Sequence, residues 1–441
     1  MINSFLTVLE KINTFFWNGP VLFLLAGTHL FFTIKLFPQK KTFHAIKLSV
    51  SAEEGDTQKG LSGFATLATT LAATLGTGNI VGVSTAIALG GPGALFWCFL
   101  TGLFGMATTY AECYLSCLYR RQDESAASIG GPMYVMAQGI KNKTVGNFMG
   151  KFYAFCMICA AIGVGCTTQT SAMADAASAS WGLSPHLIGI FAAVVAGMVI
   201  LGGVKSISSF CTKLIPPLSI LYILACLVLL WQNKSFLGQS FSLILSSAFT
   251  PKAAGGGFVG SSFLLAARFG IARGLFTNEA GIGTAAVAAG ASGSTSPKRQ
   301  ALISMTAVFW DTIVICTLTG FTIISSMLAH PGSTDGYTEA GLTNAAFAFL
   351  PFDGNSFLSL TLIAFALATL VGWCYLGEKG VEYLFGKTSI HSYHLVYIIM
   401  IYLGAVLPMN LIWGVTDCIN AIMVLPNVAC LIWLQKQIPR P

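Results

Sequence analysis

Long apolar runs, with few charged positions inside them, recur along this chain of 441 residues. A helix needs about 20 apolar residues to cross a bilayer core of about 30 Å. Eleven runs approach this length, and we expect each to form a membrane span, numbered here in chain order. They fall at residues 17–37, 61–89, 92–119, 150–173, 186–204, 214–232, 258–290, 300–327, 356–377, 393–407 and 410–435. The pattern predicts an all-α polytopic membrane protein.

Lysine and arginine residues between the spans alternate between rich and poor segments. The rich segments together hold seventeen of them, and the poor segments hold two, or three with Lys11. Positively charged loops remain on the cytoplasmic side of a membrane. We therefore expect the N-terminus outside the cell and the C-terminus in the cytoplasm. The net charge of +7 reflects this topology and not a nucleic-acid surface.

The composition excludes several classes of protein. Hydrophobic residues make up 55% of the chain and charged residues 9%, whereas soluble domains carry about 25% charged residues. The twelve cysteines lie almost entirely in apolar runs, which favours packing over disulfides or metal ligation. No catalytic cluster of His, Asp or Glu is found at a membrane face, so we do not expect an enzyme. No nucleotide-binding motif points to a primary pump.

Spans 2 and 7 are both interrupted by glycine. Span 2 contains ATLGTGNIVG (73–82), and span 7 contains ARGLFTNEAGIG (272–283). Glycine costs about 1 kcal/mol relative to alanine inside a helix, and a carboxylate at membrane depth costs more. Close helix packing would explain the glycines, but it explains neither Asn79 nor the polar run 277–279. Irregular backbone at this depth is tolerated only where it faces protein or a wet cavity.

Each broken span opens a unit of five spans. The first unit covers residues 61–232 and the second 257–436, while residues 1–60 add one helix and a cytoplasmic connector. Because five is odd, the two units have inverted topology, which is typical of secondary transporters with a site at mid-membrane and argues against a channel. Freed amides suit a carboxylate and freed carbonyls suit Na⁺. A small zwitterionic amino acid with sodium would use both.

Four stretches resemble conserved blocks of the alanine or glycine:cation symporter family, the sodium:alanine symporters. They are GTGNIVGVSTAI (76–87), GGPGALFWCFLTGLFGMATTYAE (90–112), GGPMYVM (130–136) and RGLFTNEAGIGTAA (273–286). The chain departs from the family pattern at Cys98-Phe99, where Met-Trp is expected. The resemblance covers residues from about 60 to the end of span 11.

The resemblance implies a fold similar to the 5+5 inverted repeat of the leucine transporter, with one extra N-terminal helix. It also implies Na⁺-coupled symport of alanine or glycine into the cell by alternating access. The protein would lie in a prokaryotic cytoplasmic membrane, in contact with lipid, and a monomer would suffice for transport. H⁺-coupled symport of another small amino acid is the alternative.

The same resemblance assigns residues to two sites. The amides of Thr77 and Gly78 would hold the substrate carboxylate. The full substrate-binding set is Thr77, Gly78, Asn79, Gln169, Phe276, Thr277 and Trp373. The sodium site would be formed by the carbonyls of Ala72, Leu75 and Ala366 and the hydroxyl of Thr369.

Several ionisable residues lie at membrane depth. Glu279 has three interpretations: it binds the substrate amino group, takes part in proton coupling, or caps the broken helix. Arg268 and Arg273 would form gating pairs, reach towards the interface, or pair with Glu279. Asp311 lies in the middle of span 8 and must be paired, protonated or hydrated, and we expect a structural partner such as an arginine of span 7.

Overall fold

The structure, a computed structural model, describes residues 2–17, 19–51, 61–122, 128–249, 263–335, 337–338, 341–407 and 409–441. Within these ranges the chain forms twenty α-helices and one short hairpin. The helices of the first half are α1 (Ile2–Trp17), α2 (Pro20–Leu36), α3 (Thr42–Val50), α4 (Gly63–Thr74), α5 (Val83–Gly90), α6 (Gly93–Leu118), α7 (Pro132–Gly139), α8 (Lys143–Ile162), α9 (Thr168–Trp181), α10 (Pro185–Leu201) and α11 (Gly203–Gln232). Those of the second half are α12 (Leu237–Phe249), α13 (Phe263–Asn278), α14 (Thr284–Gly290), α15 (Pro297–Val308), α16 (Thr317–Ala329), α17 (Leu342–Phe347), α18 (Gly354–Phe385), α19 (Ile390–Val406) and α20 (Met409–Leu434).

A hairpin, three π-helical segments and four short 3₁₀-helices complete the regular structure of these ranges; the 3₁₀-helices are Pro38–Lys41, Lys234–Phe236, Lys387–Ser389 and Gln435–Gln437. Strands β1 (Arg121–Gln122) and β2 (Ser128–Ile129) pair antiparallel, with Arg121 opposite Ile129. The π-helical segments are Gly78–Gly82, Gly163–Thr167 and Phe309–Cys316. Such bulges in α-helices are frequent at functional sites.

Eight helical stretches of the described residues are long and apolar enough to cross a membrane. The pair Gly63–Thr74 and Gly78–Gly90, bent by 54°, makes a ninth if it is one span. The all-α membrane class is therefore confirmed. The other two expected spans fall on α10, which has 17 residues, and on the α13–α14 pair. Because residues 258–262 of expected span 7 lie outside the described residues, the count of eleven stays a prediction.

Two predicted boundaries differ from the structure. The expected first span, 17–37, is preceded by a separate helix, α1, which ends at Trp17, and Pro20 begins α2. Proline is favoured in the first turn of a helix because it lacks an amide donor. The expected fourth span, 150–173, lies within a longer helical stretch, Lys143–Trp181, that continues through a π-helical segment.

Burial differs sharply between helices, as it does in a bundle surrounded by lipid. In the apolar stretch of α18, 83% of the residues are buried, whereas in that of α11 33% are buried. Large apolar side chains cover the outside of the bundle; Phe23 and Trp231, for example, are 72% and 73% exposed. An apolar surface of this extent would be unfavourable in water and is suited to lipid. The polar side chains near the break in span 2, in contrast, are fully enclosed. Helix α18 therefore forms the centre of the bundle and lies beside that break.

Candidate functional site

The break in span 2 starts where α4 runs out of helical hydrogen bonds. The Leu75 amide still donates to the Leu71 carbonyl, but the Gly76 amide donates to Asn79 Oδ1 at 3.0 Å. The last carbonyls of a helix have no partner within it. Residues 72–75 therefore present carbonyl oxygens to the helices that pack around the break.

Helix α18 supplies partners for two of these carbonyls. The Thr369 hydroxyl donates to the Leu75 carbonyl at 3.1 Å, and the Trp373 indole donates to the Ala73 carbonyl at 3.1 Å. Both donors are about 1% exposed. A Cβ at Gly372, between them, would lie 3.0 Å from the Ala73 nitrogen. The absence of a side chain there lets the two backbones approach closely.

The residues expected to bind sodium fall on the two sides of this contact. Leu75 and Thr369 are in direct contact, and the Ala72 carbonyl carbon lies 3.3 Å from where a Gly372 Cβ would be. Ala366 is buried on α18, one turn before Thr369. Oxygen ligands lie about 2.4 Å from Ca²⁺, an ion close to Na⁺ in size. Two neighbouring ligands of such an ion therefore lie about 3 Å apart. The spacing of the Leu75 and Thr369 oxygens therefore fits a shared cation.

The residues of span 2 that are expected to bind the substrate lie beside α9. The Thr77 amide donates to Gln169 Oε1 at 3.3 Å, while Gln169 Nε2 donates to the Val164 carbonyl. A Cβ at Gly76 would lie 2.8 Å from both Gln169 Oε1 and Thr369 Oγ1. Glycine at this position therefore leaves room for only small groups beside the break.

Three of the five residues in the break of span 7, residues 279–283, have positive φ. Glu279, Gly281 and Gly283 have φ of 53°, 89° and 96°, between the end of α13 and the start of α14. A non-glycine residue in this region is uncommon and strained. The Asn278 side chain accepts a hydrogen bond from the Ala280 amide at 3.0 Å, which satisfies one amide of the turn.

The two breaks meet at Gly78 and Thr277. A Cβ on Gly78 would lie 3.0 Å from Thr277 Oγ1, and this hydroxyl donates to the Arg273 carbonyl at 2.8 Å. Phe276 faces a different space. It lines a polar cavity of about 140 Å³ together with Arg268 and Asp417. The structure thus brings Thr277 to the break in span 2 and directs Phe276 towards α1 and α20.

Asn79 points towards span 8 and is the partner of Asp311. The prediction of an arginine of span 7 as this partner was wrong. Asn79 Nδ2 donates to Asp311 Oδ1 at 2.6 Å, and the Thr312 hydroxyl donates to Asp311 Oδ2 at 2.7 Å. Amide and hydroxyl donors therefore satisfy this buried carboxyl in place of an arginine of span 7. Arg273 instead acts electrostatically on Asp417 of α20.

Glu279 does not cap the broken helix in the described residues. Its carboxyl accepts no backbone amide there, and Oε2 has no hydrogen-bond partner. The Thr284 hydroxyl and the Trp373 indole face this carboxyl, so Glu279 lies between the break in span 7 and the one in span 2. Of the three interpretations of Glu279, capping is the one this geometry disfavours.

Sequence reasoning missed two features of the site. Residues 163–167 form a π-helical segment directly before Gln169, and a Cβ at Gly165 would overlap the Trp373 side chain. The glycine pair Gly163 and Gly165 was the available signal. Asn427 of span 11 donates to the Gly281 carbonyl at 2.8 Å, and its signal was a lone amide next to a proline in an apolar run.

Comparison with known proteins places this arrangement in a family. The family model described as the sodium:alanine symporter family matches residues 2–440. The sodium/alanine symporter AgcS of Methanococcus maripaludis is 41% identical over 98% of this chain and 95% of its own. A Bacillus subtilis protein named as a probable sodium/glutamine symporter, GlnT, is 30% identical over 96% of this chain and 87% of its own.

A solved structure shares the fold at low sequence identity. A Na⁺-coupled sialic acid symporter superposes with a TM-score of 0.55, over 92% of this chain and 83% of its own, at 11% identity. At that identity the likeness concerns the fold alone. The family match covers nearly the whole chain, including both breaks and the helices that pack on them. The chain belongs to the sodium:alanine symporter family.

Proposed function

We propose that this protein carries a small neutral amino acid, alanine or glycine, into the cell together with Na⁺ by alternating access. Family membership supports Na⁺-coupled amino-acid symport, and the finer assignment comes from the site. The observation that carries it is the meeting of two broken spans at Gly78 and Thr277. Broken helices at one place offer amides to a carboxylate and carbonyls to a cation.

The proposed substrate position lies at the amides of Thr77 and Gly78. These amides begin the second half of span 2, where the positive end of a helix dipole favours an anion. The Gln169 side chain, which now accepts from the Thr77 amide, would orient the substrate carboxylate. The close surroundings of Gly76 and Gly78 favour a side chain no larger than a methyl group.

The proposed sodium position lies between α4 and α18. The Ala72, Leu75 and Ala366 carbonyls and the Thr369 hydroxyl would bind the ion. A cation held there joins the half-helix before the break to the centre of the bundle, and its charge favours a carboxylate nearby. A membrane potential adds about 2.3 kcal/mol per charge per 100 mV. One Na⁺ per substrate would therefore drive useful accumulation.

The proposed topology has two inverted units of five spans, residues 61–232 and 257–436, after one extra span. The N-terminus would be outside the cell and the C-terminus in the cytoplasm, in a prokaryotic cytoplasmic membrane. The seventeen positive charges of alternate loops support this orientation. A C-terminal fluorescent protein, which fluoresces only in the cytoplasm, should be bright. A fusion that is fully expressed but not fluorescent would contradict this orientation and place the C-terminus outside the cytoplasm.

Binding to the purified protein tests the proposed substrate and ion. Radiolabelled L-alanine should bind in NaCl and not in KCl. Unlabelled glycine should compete, whereas glutamine and leucine should not, because the space at Gly76 and Gly78 excludes their side chains. Equal binding in KCl would contradict sodium coupling. Competition by glutamine, the substrate in the name of the relative GlnT, would contradict the small pocket.

A further inference from the structure

A buried polar cluster surrounds the break in span 7, where α6, α8 and α20 meet it. The Asn427 side-chain amide donates to Glu112 Oε1 at 2.6 Å and to the Gly281 carbonyl at 2.8 Å. The Tyr153 hydroxyl donates to the Ile282 carbonyl at 2.8 Å. Both N–H groups of this amide and the only O–H of this phenol are therefore already used.

Glu279 and Thr284 complete what we call the span-7 cluster. Glu112 and Glu279 are 2% and 4% exposed. Glu112 Oε2, Glu279 Oε2 and Thr284 Oγ1 have no hydrogen-bond partner among the described residues. The Thr284 hydroxyl faces the Glu279 carboxyl, and the two glutamates are close enough to act on each other electrostatically. The Gly281 amide faces Glu112 and the Trp373 indole faces Glu279, but neither reaches the two Oε2 atoms as a hydrogen-bond donor. The cluster therefore has two unsatisfied acceptor atoms.

Two carboxylates cannot both remain charged in such a place without a cation. A buried charge is tolerated when it is paired, and it otherwise costs several kcal/mol. Glu378 and Glu382, at the other end of α18 from Asp353, show such pairing: their partners are Lys379 and His394. Asp311 differs from the glutamates, because amide and hydroxyl donors satisfy both of its oxygens.

A proton fits the span-7 cluster better than a metal cation. A hard metal cation such as Ca²⁺ takes about six oxygen ligands or more. The described residues offer three oxygens without a hydrogen-bond partner here, those of Glu112, Glu279 and Thr284. The Asn427 amide also presents its donor side to the cluster. A proton needs only one carboxylate oxygen to receive it.

We propose that the pair Glu112 and Glu279 holds one proton, which binds to one of the two carboxyls beside the break in span 7 and is carried across the membrane with the substrate. This inference rests on the proposed symport and adds a second coupling site to it. The proton comes from external water and forms an O–H bond at one carboxyl. That bond breaks when the proton leaves to cytoplasmic water, and no other bond changes.

The position of Glu279 explains how this proton would be coupled to the substrate. Glu279 lies two residues after Thr277, which contacts the substrate-binding break, and it faces the Trp373 indole. Loss of the proton would leave two like charges beside the turn 279–283, in which Glu279 already has a strained φ of 53°. Repulsion between them would open this turn, which begins two residues after Thr277.

Other titratable groups surround the pair. Asp311 acts on Glu279, Tyr153 faces both glutamates, and Cys113 adjoins Glu112. His29 of α2 lies 3.7 Å from where a Gly281 Cβ would be, and it shares a hydrogen bond with Thr108. A measured pH dependence must therefore be assigned with variants of the glutamates themselves.

Infrared spectroscopy of the purified protein tests the site without any substrate. The wild type should show the C=O stretch of a protonated carboxylic acid at neutral pH, and the double variant Glu112→Gln/Glu279→Gln should lose intensity there. Asp353→Asn, which changes a loop carboxyl but keeps an N-cap residue for α18, should retain the full band. Identical spectra for the wild type and the double variant would overturn the proton site.

Transport tests the coupling and does not require that the double variant fold. In proteoliposomes with a fixed Na⁺ gradient and an internal pH indicator, L-alanine entry through the wild type should acidify the interior by about one proton per alanine. Each single variant, Glu112→Gln or Glu279→Gln, should lose this acidification. Alanine entry without acidification in the wild type would overturn proton coupling. No alanine entry would contradict the proposed symport, and the infrared spectra would then decide the proton site.

Discussion

Thr369 and Leu75 form the contact on which the sodium assignment depends. The Thr369 hydroxyl donates to the Leu75 carbonyl at 3.1 Å and also to the Phe365 carbonyl of its own helix at 3.0 Å. The second bond is common for a buried threonine in a helix. The first crosses from α18 to the break in span 2. A hydroxyl with this partner has a role beyond packing.

Replacing Thr369 with valine should weaken the dependence on sodium. The change keeps the shape but removes one oxygen ligand, and loss of such a partner costs about 1–3 kcal/mol. The Na⁺ concentration for half-maximal alanine binding should therefore rise about 5-fold or more. Thr361→Val on the same helix is the matched control, because that buried hydroxyl donates only to the Phe357 carbonyl. Equal sodium dependence in the two variants would remove the proposed ion site.

Gly78→Val should abolish substrate binding. The new Cβ would lie 3.0 Å from Thr277 Oγ1, and the branched side chain would fill the space proposed for the substrate. Overpacking of this kind costs about 1–3 kcal/mol. Gly82→Val is the control in the same π-helical segment, since a Cβ there meets no atom within 4 Å. Binding of alanine by both variants with wild-type affinity would place the pocket elsewhere.

At the level of elements, both broken spans depend on backbone positions that a side chain would disturb. In span 7, Gly283 has φ of 96°, and a Cβ there would lie 2.6 Å from both Pro132 Cγ and the Tyr153 hydroxyl. Tyr153 in turn donates to the Ile282 carbonyl. The turn is therefore held by contacts from α7 and α8 as well as by its own geometry.

Gly283→Ala should destabilise the protein more than Gly182→Ala. Both glycines lie in the left-handed helical region, with φ of 96° and 65°, so both substitutions carry a similar strain of about 1–2 kcal/mol. A Cβ at Gly182 meets nothing within 4 Å, whereas one at Gly283 also displaces Tyr153. The melting temperature in detergent should therefore fall further for Gly283→Ala. Equal losses would show that packing against Tyr153 does not hold the turn.

Sequence patterns predicted the places of the two breaks but not their contacts. Clustered glycines and the polar run 277–279 stand out in apolar spans, so both interruptions could be expected. The π-helical segments at 163–167 and 309–316 leave a weaker trace, because a shifted hydrogen-bond pattern does not require a particular composition. The predicted partner of Asp311 was wrong because Asn79 reaches it from span 2, which is distant from span 8 in sequence. Only tertiary structure decides such pairs.

At the scale of the whole molecule, the hydropathy pattern was sufficient to predict an all-α membrane protein. It was insufficient to predict the helices of the N-terminal region. Eight long apolar helices and one bent pair follow the predicted runs. The separate helix α1 was not predicted, and it packs on α20. There the Asn13 side chain donates to the Gly414 carbonyl at 2.8 Å, and the Trp17 indole donates to the Asp417 carbonyl at 3.1 Å. These contacts join residues about 400 positions apart, which no local pattern reveals.

Uptake of radiolabelled L-alanine into sealed proteoliposomes tests the central claim most directly. The account predicts accumulation under an inward Na⁺ gradient and none under an equal K⁺ gradient. Glycine should block this uptake and leucine should not, because only a small side chain fits beside Gly76 and Gly78. Equal uptake under both gradients, or inhibition by leucine as strong as that by glycine, would contradict Na⁺-coupled transport of a small neutral amino acid.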